Sequence, residues 1–371
     1  MIWSEKVESI PCISFILPVY NMEHLPLRAQ PLPSDANQKK RKGILLMKRK
    51  LLRALCYLKE LLAMLGAVCR AFIPAYRGIW LVGERGTDAR DNGYWFYRYL
   101  RTQHPECRAY YVIAADSPDA AKITALGGAV QRGSFRHDLL YYCADYLVGT
   151  HVQPCAPDLM VHYHLAAKGI RARGKQVFLQ HGVTMSEMQW MHRENLYLDL
   201  FVCGAKPEYE YIRDTYGFAP EVTRYLGMAR WDHLLQAGQA PCKKMILLMP
   251  TWRGSHYPEG EAFLDTPYYK AFDSLLSSAR LDALLEQYGY TLVFYPHIEM
   301  QKHLSRFHAP SERVVLADST LYDVQQLLLD CALLVTDHSS VFFDVAYLEK
   351  PELYYQFDEA DYQRYHYQKG Y

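Results

Sequence analysis

Along residues 44–69, ILLMKRKLLRALCYLKELLAMLGAVC, the leucines Leu51, Leu55, Leu58, Leu62 and Leu65 recur at intervals of three and four. That period predicts an amphipathic α-helix. From Gly78 the period changes. Short apolar runs (GIWLVG, AYYVIAA, ADYLVGTH, KQVFLQHG, LDLFVCGA) end in turn residues, and helical stretches such as NGYWFYRYLRTQ and KPEYEYIRDTYG lie between them. Apolar runs alternating with helices at this pitch predict buried parallel strands in a doubly wound α/β domain over 75–235. A second series follows Pro241: KKMILLMP, YTLVFYPH, VVLADS, CALLVTD and PELYYQFD read as strands, and SLLSSARLDALLEQYG, TLYDVQQLLLD and SSVFFDVAYLEK as helices. This predicts another Rossmann-like half over 241–371. Two such halves facing a cleft make the GT-B architecture, with ligands at the carboxyl ends of the strands. Residues 1–43 are then a stump and linker, and 44–74 the helix that precedes both domains.

Charge narrows the partners. The chain has 371 residues and a formal net charge of +1, and 22% of its residues are charged. So even a balance argues against bulk nucleic-acid binding. The local exception is the leading helix, where Lys48, Arg49, Lys50, Arg53 and Lys59 follow Lys39, Lys40, Arg41 and Lys42. A basic amphipathic helix suits an anionic membrane surface; packing on the protein's own core is the other reading. No apolar run approaches the ~18 residues of a membrane span, and no signal peptide is evident. The 9 cysteines form no CxxC pair, which fits buried thiols in a reducing cytosol. His162 and His164 near Cys143 and Cys155 fit no standard zinc spacing.

Chemistry gathers at strand ends. In Val335-Thr336-Asp337-His338-Ser339-Ser340 a buried strand turns into a helix that opens on two serines, a setting suited to phosphate; a plain serine cap is the bland reading. Arg253, in Met249-Pro250-Thr251-Trp252-Arg253, is a fixed cation after another strand, suited to phosphate or to a surface ion pair. His181 follows VFLQ and His297 follows LVFYP, one in each half, so both are expected to face the cleft as base or phosphate donor.

Taken together, Leu179-Gln180-His181-Gly182, Pro250-Thr251-Trp252-Arg253, Tyr295-Pro296-His297 and Asp337-His338-Ser339-Ser340-Val341-Phe342-Phe343-Asp344 resemble the CDP-glycerol glycerophosphotransferase family of teichoic-acid and capsule polymerases. A looser match covers Trp80–Glu84, Asp91-Asn92 and Gly204–Glu210. The resemblance spans most of 75–371. It implies attack by an acceptor hydroxyl on the β-phosphorus of a CDP-alcohol, with release of CMP. His181 would be the general base, and His297 would steady the donor phosphate or leaving group. Arg253, Thr251, Asp337, Ser339 and Ser340 would hold the donor, and Gly182, Glu84 and Asn92 would lie on the acceptor side. No metal or cofactor is called for beyond CDP-glycerol as donor substrate. The partners implied are a polymer or lipid-linked acceptor and an anionic membrane, with the protein cytoplasmic and peripheral on the membrane's inner face. Val183-Thr184-Met185-Ser186 departs from the Thr-Pro and lysine that many members carry after His-Gly, and resembles a capsule-associated branch. Members also continue past the point matching Tyr371, which implies a truncated C-terminal domain. Residues 11–27, PCISFILPVYNMEHLPL, resemble the opening of a family 2 glycosyltransferase, yet no Asp-x-Asp triplet follows. Two other readings are a GT-B glycosyltransferase using a nucleotide sugar and an inactive membrane-docking fragment.

Overall fold

The computed structural model describes residues 35–371 apart from 154, 255–256, 361 and 363–369, and describes no side chains at 35–46, 48 or 49. The 11–27 stretch therefore lies outside the described residues. So do the side chains of the basic cluster at 39–42 and of Lys48 and Arg49.

The leading helix, α1, spans Asp35–Val68. The alternation that follows folds as expected, with β1 (Ile79–Gly83), α2 (Asn92–Gln103), β2 (Arg108–Ile113), α3 (Ala120–Leu126), β3 (Ala129–Gln131), α4 (Phe135–Cys143), β4 (Tyr146–Gly149), α5 (Leu159–Ala167), β5 (Lys175–Phe178), β6 (Leu200–Cys203), α6 (Lys206–Thr215), β7 (Thr223–Tyr225) and α7 (Trp231–Ala237). These strands form a seven-stranded parallel sheet in the order β3-β2-β1-β4-β5-β6-β7. The second series comprises β8 (Met245–Leu248), α8 (Pro267–Leu276), α9 (Ala279–Tyr288), β9 (Thr291–Phe294), β10 (Val314–Leu316), α10 (Val324–Asp330), β11 (Leu333–Thr336), α11 (Phe342–Tyr347) and β12 (Glu352–Tyr354). Its five strands run parallel in the order β10-β9-β8-β11-β12. Both series thus start at a central strand, wind one way for two strands, and then reverse. The α/β class with two parallel sheets is the one the periodicity predicts.

Two elements differ from expectation. The stretch read as one helix over 274–289 is interrupted, because Ser278 accepts the Leu281 N–H at 3.3 Å and caps α9. Serine competes with the helix backbone in this way and favours caps over interiors. Gly289 ends α9 at φ +67°, the left-handed conformation a helix stop favours. The helix read over 339–350 is shorter: it begins at Phe342, and the two serines lie in the turn before it.

By compactness the chain divides into one unit up to Phe178 with Asn195–Leu200, and another of Leu179–Glu194 with Phe201–Tyr371. In the first, Ile79, Leu81, Val112, Val130, Leu140 and Leu147 are buried together with Ala63 of α1. In the second, Leu248, Phe272, Leu292 and Phe294 share one cluster, while Leu247, Val293, Leu327, Leu334 and Val345 share another. Neighbours 247 and 248 point to opposite faces of the sheet, so both faces are covered. Each such side chain contributes about 1.5–3 kcal/mol on full burial.

Helix α1 docks by an unexpected face. Glu60 and Ala63 are buried and Met64 and Ala67 pack on the first core, whereas Leu51, Leu58 and Leu65 remain 62%, 54% and 67% exposed. Lys59 donates to the Gly133 carbonyl at 2.8 Å, and Tyr142 donates to Glu60 at 2.5 Å. The leucine stripe is therefore not the packing face. Among the described residues no helix is long and apolar enough to cross a membrane.

Candidate functional site

In the five-stranded sheet the winding reverses between β8 and β11, the topological switch point where open α/β sheets bind ligands. Leu248 pairs with Val335, so the loops after these two strands start side by side. They hold one another through Asp337. Its Oδ1 accepts the N–H of Thr251 at 2.8 Å and of His338 at 2.6 Å, and its Oδ2 accepts Arg253 at 2.6 Å. Arg253 also binds both oxygens of Asp358 and the Thr251 carbonyl. The guanidinium is 4% exposed, and the rings of Tyr268, Phe357 and Tyr362 surround it. Burial works against its charge, but the two carboxylates overcome that and hold Arg253 protonated. Arg253 thus faces inward and ties three loops together rather than presenting an open fork to a ligand. Asp337, 1% exposed and occupied on both oxygens, is likewise part of the frame.

The other groups of this frame are polar. Thr251 Oγ1 and His338 Nε2 are buried with no hydrogen-bond partner among the described residues. His338 lies flat against Tyr362 at 3.9 Å, and burial pushes its basicity down. Ser339 Oγ accepts the Val341 N–H at 3.4 Å, and the half-buried Ser340 follows it in the same turn. His297 lies beyond β9, parallel to Trp252 with ring centres 6.0 Å apart. Its Nδ1 accepts the Glu299 N–H at 3.3 Å, which leaves the proton of the neutral ring on Nε2.

The turn after β5 reaches the same place, and it belongs to the same compact unit. Gln180 adopts φ 58°, a left-handed conformation rarely taken by a residue with a side chain. It is held there by its own amide, which donates to the Val202 carbonyl at 2.7 Å and to Glu208 at 3.1 Å and accepts from Thr184 at 3.0 Å. Glu208 is fully buried and accepts the N–H groups of Thr184 and Gly204 at 2.5 and 2.7 Å. Burial pushes its carboxyl up, against the pull of those amides. Past this anchored kink His181 is exposed. Gly182 is pressed against the serine turn, where a Cβ would lie 2.6 Å from Ser340 Oγ. The His181 carbonyl accepts Arg230 Nη1 at 3.1 Å. Arg230 Nε and Nη2 in turn bind the two oxygens of Asp344, each at 2.8 Å, and Trp231 Nε1 adds a third bond at 2.7 Å.

The structure thus brings His181, Gly182, Ser339 and Ser340 together, and sets Thr251, His297, Asp337 and Arg253 in the adjoining frame. Glu84 and Asn92 belong to the first unit, and both are buried. The Glu84 carboxylate accepts the N–H groups of Arg90, Asp91 and Tyr94 at 3.0, 3.1 and 2.7 Å, so it closes its own loop at the start of α2. Burial, with Asp91 second, pushes its carboxyl well above the usual range. These two residues build the loop rather than face outward. Sequence reasoning missed Arg230 and gave Asp344 no role. A lone arginine before a helix carries no signal until its partner 114 positions away is known. Glu208 was visible only as part of a loose match. Among the described residues no group of three or more His, Cys, Asp or Glu could hold a metal ion. His162 instead bonds to Tyr141 at 2.9 Å, with burial holding it down to about 4.

Comparison with known proteins follows the same lines. A family profile described as CDP-Glycerol:Poly(glycerophosphate) glycerophosphotransferase matches residues 71–370. The minor teichoic acid biosynthesis protein GgaB of Bacillus subtilis strain 168 is 28% identical over 305 residues, covering 79% of this chain and 33% of its own length. A teichoic acid poly(glycerol phosphate) polymerase of Staphylococcus epidermidis is 21% identical over 302 residues, covering 75% of this chain and 40% of its own. The chain therefore spans less than half the length of either relative. A structure of the wall teichoic acid polymerase TagF, a histidine-to-asparagine variant soaked with CDPG, superposes with a TM-score of 0.59 at 19% identity, covering 89% of this chain and 82% of that one. At that identity the likeness establishes the fold.

Proposed function

Because the chain belongs to the CDP-glycerol:poly(glycerophosphate) glycerophosphotransferase family, we propose that it transfers glycerol phosphate, or a related alcohol phosphate, from CDP-glycerol to a teichoic-acid or capsular polymer. The observation that carries this reading is the meeting of the His181–Gly182 turn with the Ser339–Ser340 turn beside the switch point of the five-stranded sheet. One turn offers an exposed imidazole and the other a pair of hydroxyls.

In the proposed step an acceptor hydroxyl attacks the β-phosphorus of the CDP-alcohol, and His181 takes its proton. The bond from that phosphorus to the bridging oxygen breaks, and CMP leaves with the bonding pair. Ser339 and Ser340 donate to the pyrophosphate, Thr251 Oγ1 supplies a further polar contact, and the Nε2–H of His297 meets the donor phosphate or the leaving group. Arg253 and Asp337 act one layer back, fixing the loops that carry those groups. Positioning and charge stabilisation supply most of the catalysis in phosphoryl transfer. The only small molecule this scheme requires is the CDP-alcohol. The acceptor is a polymer or lipid-linked chain, with Gly182 on its side of the site and Glu84 and Asn92 shaping a loop of the first domain.

The same reading places α1 on an anionic membrane, with the protein cytoplasmic and peripheral. Its support is the exposed leucine stripe together with exposed Lys50 and Arg53.

The test is release of CMP from CDP-glycerol in the presence of a glycerol-phosphate acceptor, compared with release of UDP from UDP-sugars. His181→Ala is expected to lower transfer by roughly 10²–10⁴-fold while CDP-glycerol binding survives. A loss of less than about tenfold removes His181 from the role of base. UDP release without CMP release replaces the proposal with a glycosyltransferase.

A further inference from the structure

We propose that Arg230 and Asp344 are positioning residues that set the spacing between the His181 turn and the serine turn; this rests on the reading of those turns as base and phosphate site. Arg230 lies between β7 and α7, and Asp344 lies on α11, the helix into which Ser339 and Ser340 lead. Arg230 is 7% exposed and Asp344 3%. The guanidinium binds both oxygens of Asp344 at 2.8 Å, and its Nη1 binds the His181 carbonyl at 3.1 Å. One planar, rigid fork therefore joins the His181 turn to the helix that the serine turn leads into, a geometry a lysine ammonium cannot reproduce.

Two further observations show why the spacing needs a brace. Gly182 leaves no gap, since a Cβ there would sit 2.6 Å from Ser340 Oγ, so the turns already touch. Gln180, just before His181, holds φ 58°, and such a conformation persists only where its surroundings impose it. Glu208 and Val202 hold the near side of this kink, and Arg230 holds the far side at the next peptide. Without the fork the kink can relax, and the imbalance falls on the imidazole that follows it. The salt bridge is therefore more than a weld between helices: it fixes where the base stands relative to the donor phosphate.

A single truncation would strand a buried charge and report on folding as well. The pair is therefore replaced together, as Arg230→Met with Asp344→Leu, since apolar residues of similar volume commonly restore stability. The expected result is a cooperative melt, a kcat lower by about 10²-fold, and a much smaller change in KM for CDP-glycerol. Amide hydrogen exchange is expected to rise over 180–184 and to stay unchanged over 245–248. Arg230→Lys keeps the charge but not the fork, and carries the same readouts if the double variant does not fold. Wild-type kcat in a folded variant overturns the proposal. If the wild-type protein releases no CMP, the transfer reading fails by itself; unchanged exchange over 180–184 then overturns the brace.

Discussion

Gly182 is a position where one added methyl decides a great deal. A Cβ there would meet Ser340 Oγ at 2.6 Å. Gly182→Ala is expected to cost about 1–3 kcal/mol as overpacking, and to cost much less in a Ser340→Ala background, where the obstructing oxygen is gone. Denaturant titration of the four proteins checks this, and equal losses in both backgrounds would refute the contact. His181 and Gly182 were legible in the sequence because a buried run ends just before them. Arg253 was legible as a cation at a strand end, but its role was not. Its carboxylate partners Asp337 and Asp358 lie 84 and 105 residues away. Spacing along the chain carries no record of such pairings, so a phosphate grip and an internal tie looked alike. Arg230 shows the same limit more sharply, because its function depends wholly on partners that folding brings to it.

At the scale of elements, α1 is the informative case. Its period predicted the helix and its leucine stripe, and both are present. Which face docks was not predictable, because the docking stripe of Glu60, Ala63, Met64 and Ala67 has helical spacing but carries two small alanines and a carboxylate, and so reads as less apolar than the leucine stripe beside it. Small residues permit close approach to α4, and Glu60 finds the Tyr142 hydroxyl there. Burial pushes the Glu60 carboxyl from 4.5 up to about 7, with the Tyr142 bond opposing. The folded state therefore binds the proton more tightly than the unfolded chain does. This contribution is full below pH 4.5 and is lost as pH rises through about 7. Thermal melts of wild type and Glu60→Gln across that window check the point. The variant is expected to lose part of the decline in stability with pH; parallel curves would show that Glu60 does not titrate in this way. The helix over 274–289 shows a complementary failure of period. Apolar spacing continues through Ser277 and Ser278, yet a side-chain cap at Ser278 stops one helix and starts another.

For the whole molecule, the proposal with the widest reach is attachment to a membrane. The stripe from Leu51 to Leu65 is exposed, and Lys50 and Arg53 flank it. Co-sedimentation with phosphatidylglycerol vesicles is expected, weakening as salt rises because the Debye length shrinks from about 10 Å at 0.1 M. Leu58→Glu with Leu62→Glu is expected to reduce it more than tenfold, about 1.4 kcal/mol or more. Equal binding to neutral vesicles would remove the electrostatic half of the idea. The sequence by itself determined the class of fold, since buried parallel strands require apolar runs and crossover helices require amphipathic ones, and each leaves its period in the chain. It also pointed to the turns proposed for the chemistry, because ligand loops follow strand ends in this class. Only the tertiary structure decided which charges are outward and which are consumed inside: Arg253 on Asp337 and Asp358, Glu84 on its own loop, Arg230 on Asp344. The physical reason is that secondary structure is governed by neighbours a few residues away. A buried charge, by contrast, is governed by whatever partner the fold delivers, and its cost without that partner is too high for the charge to remain alone.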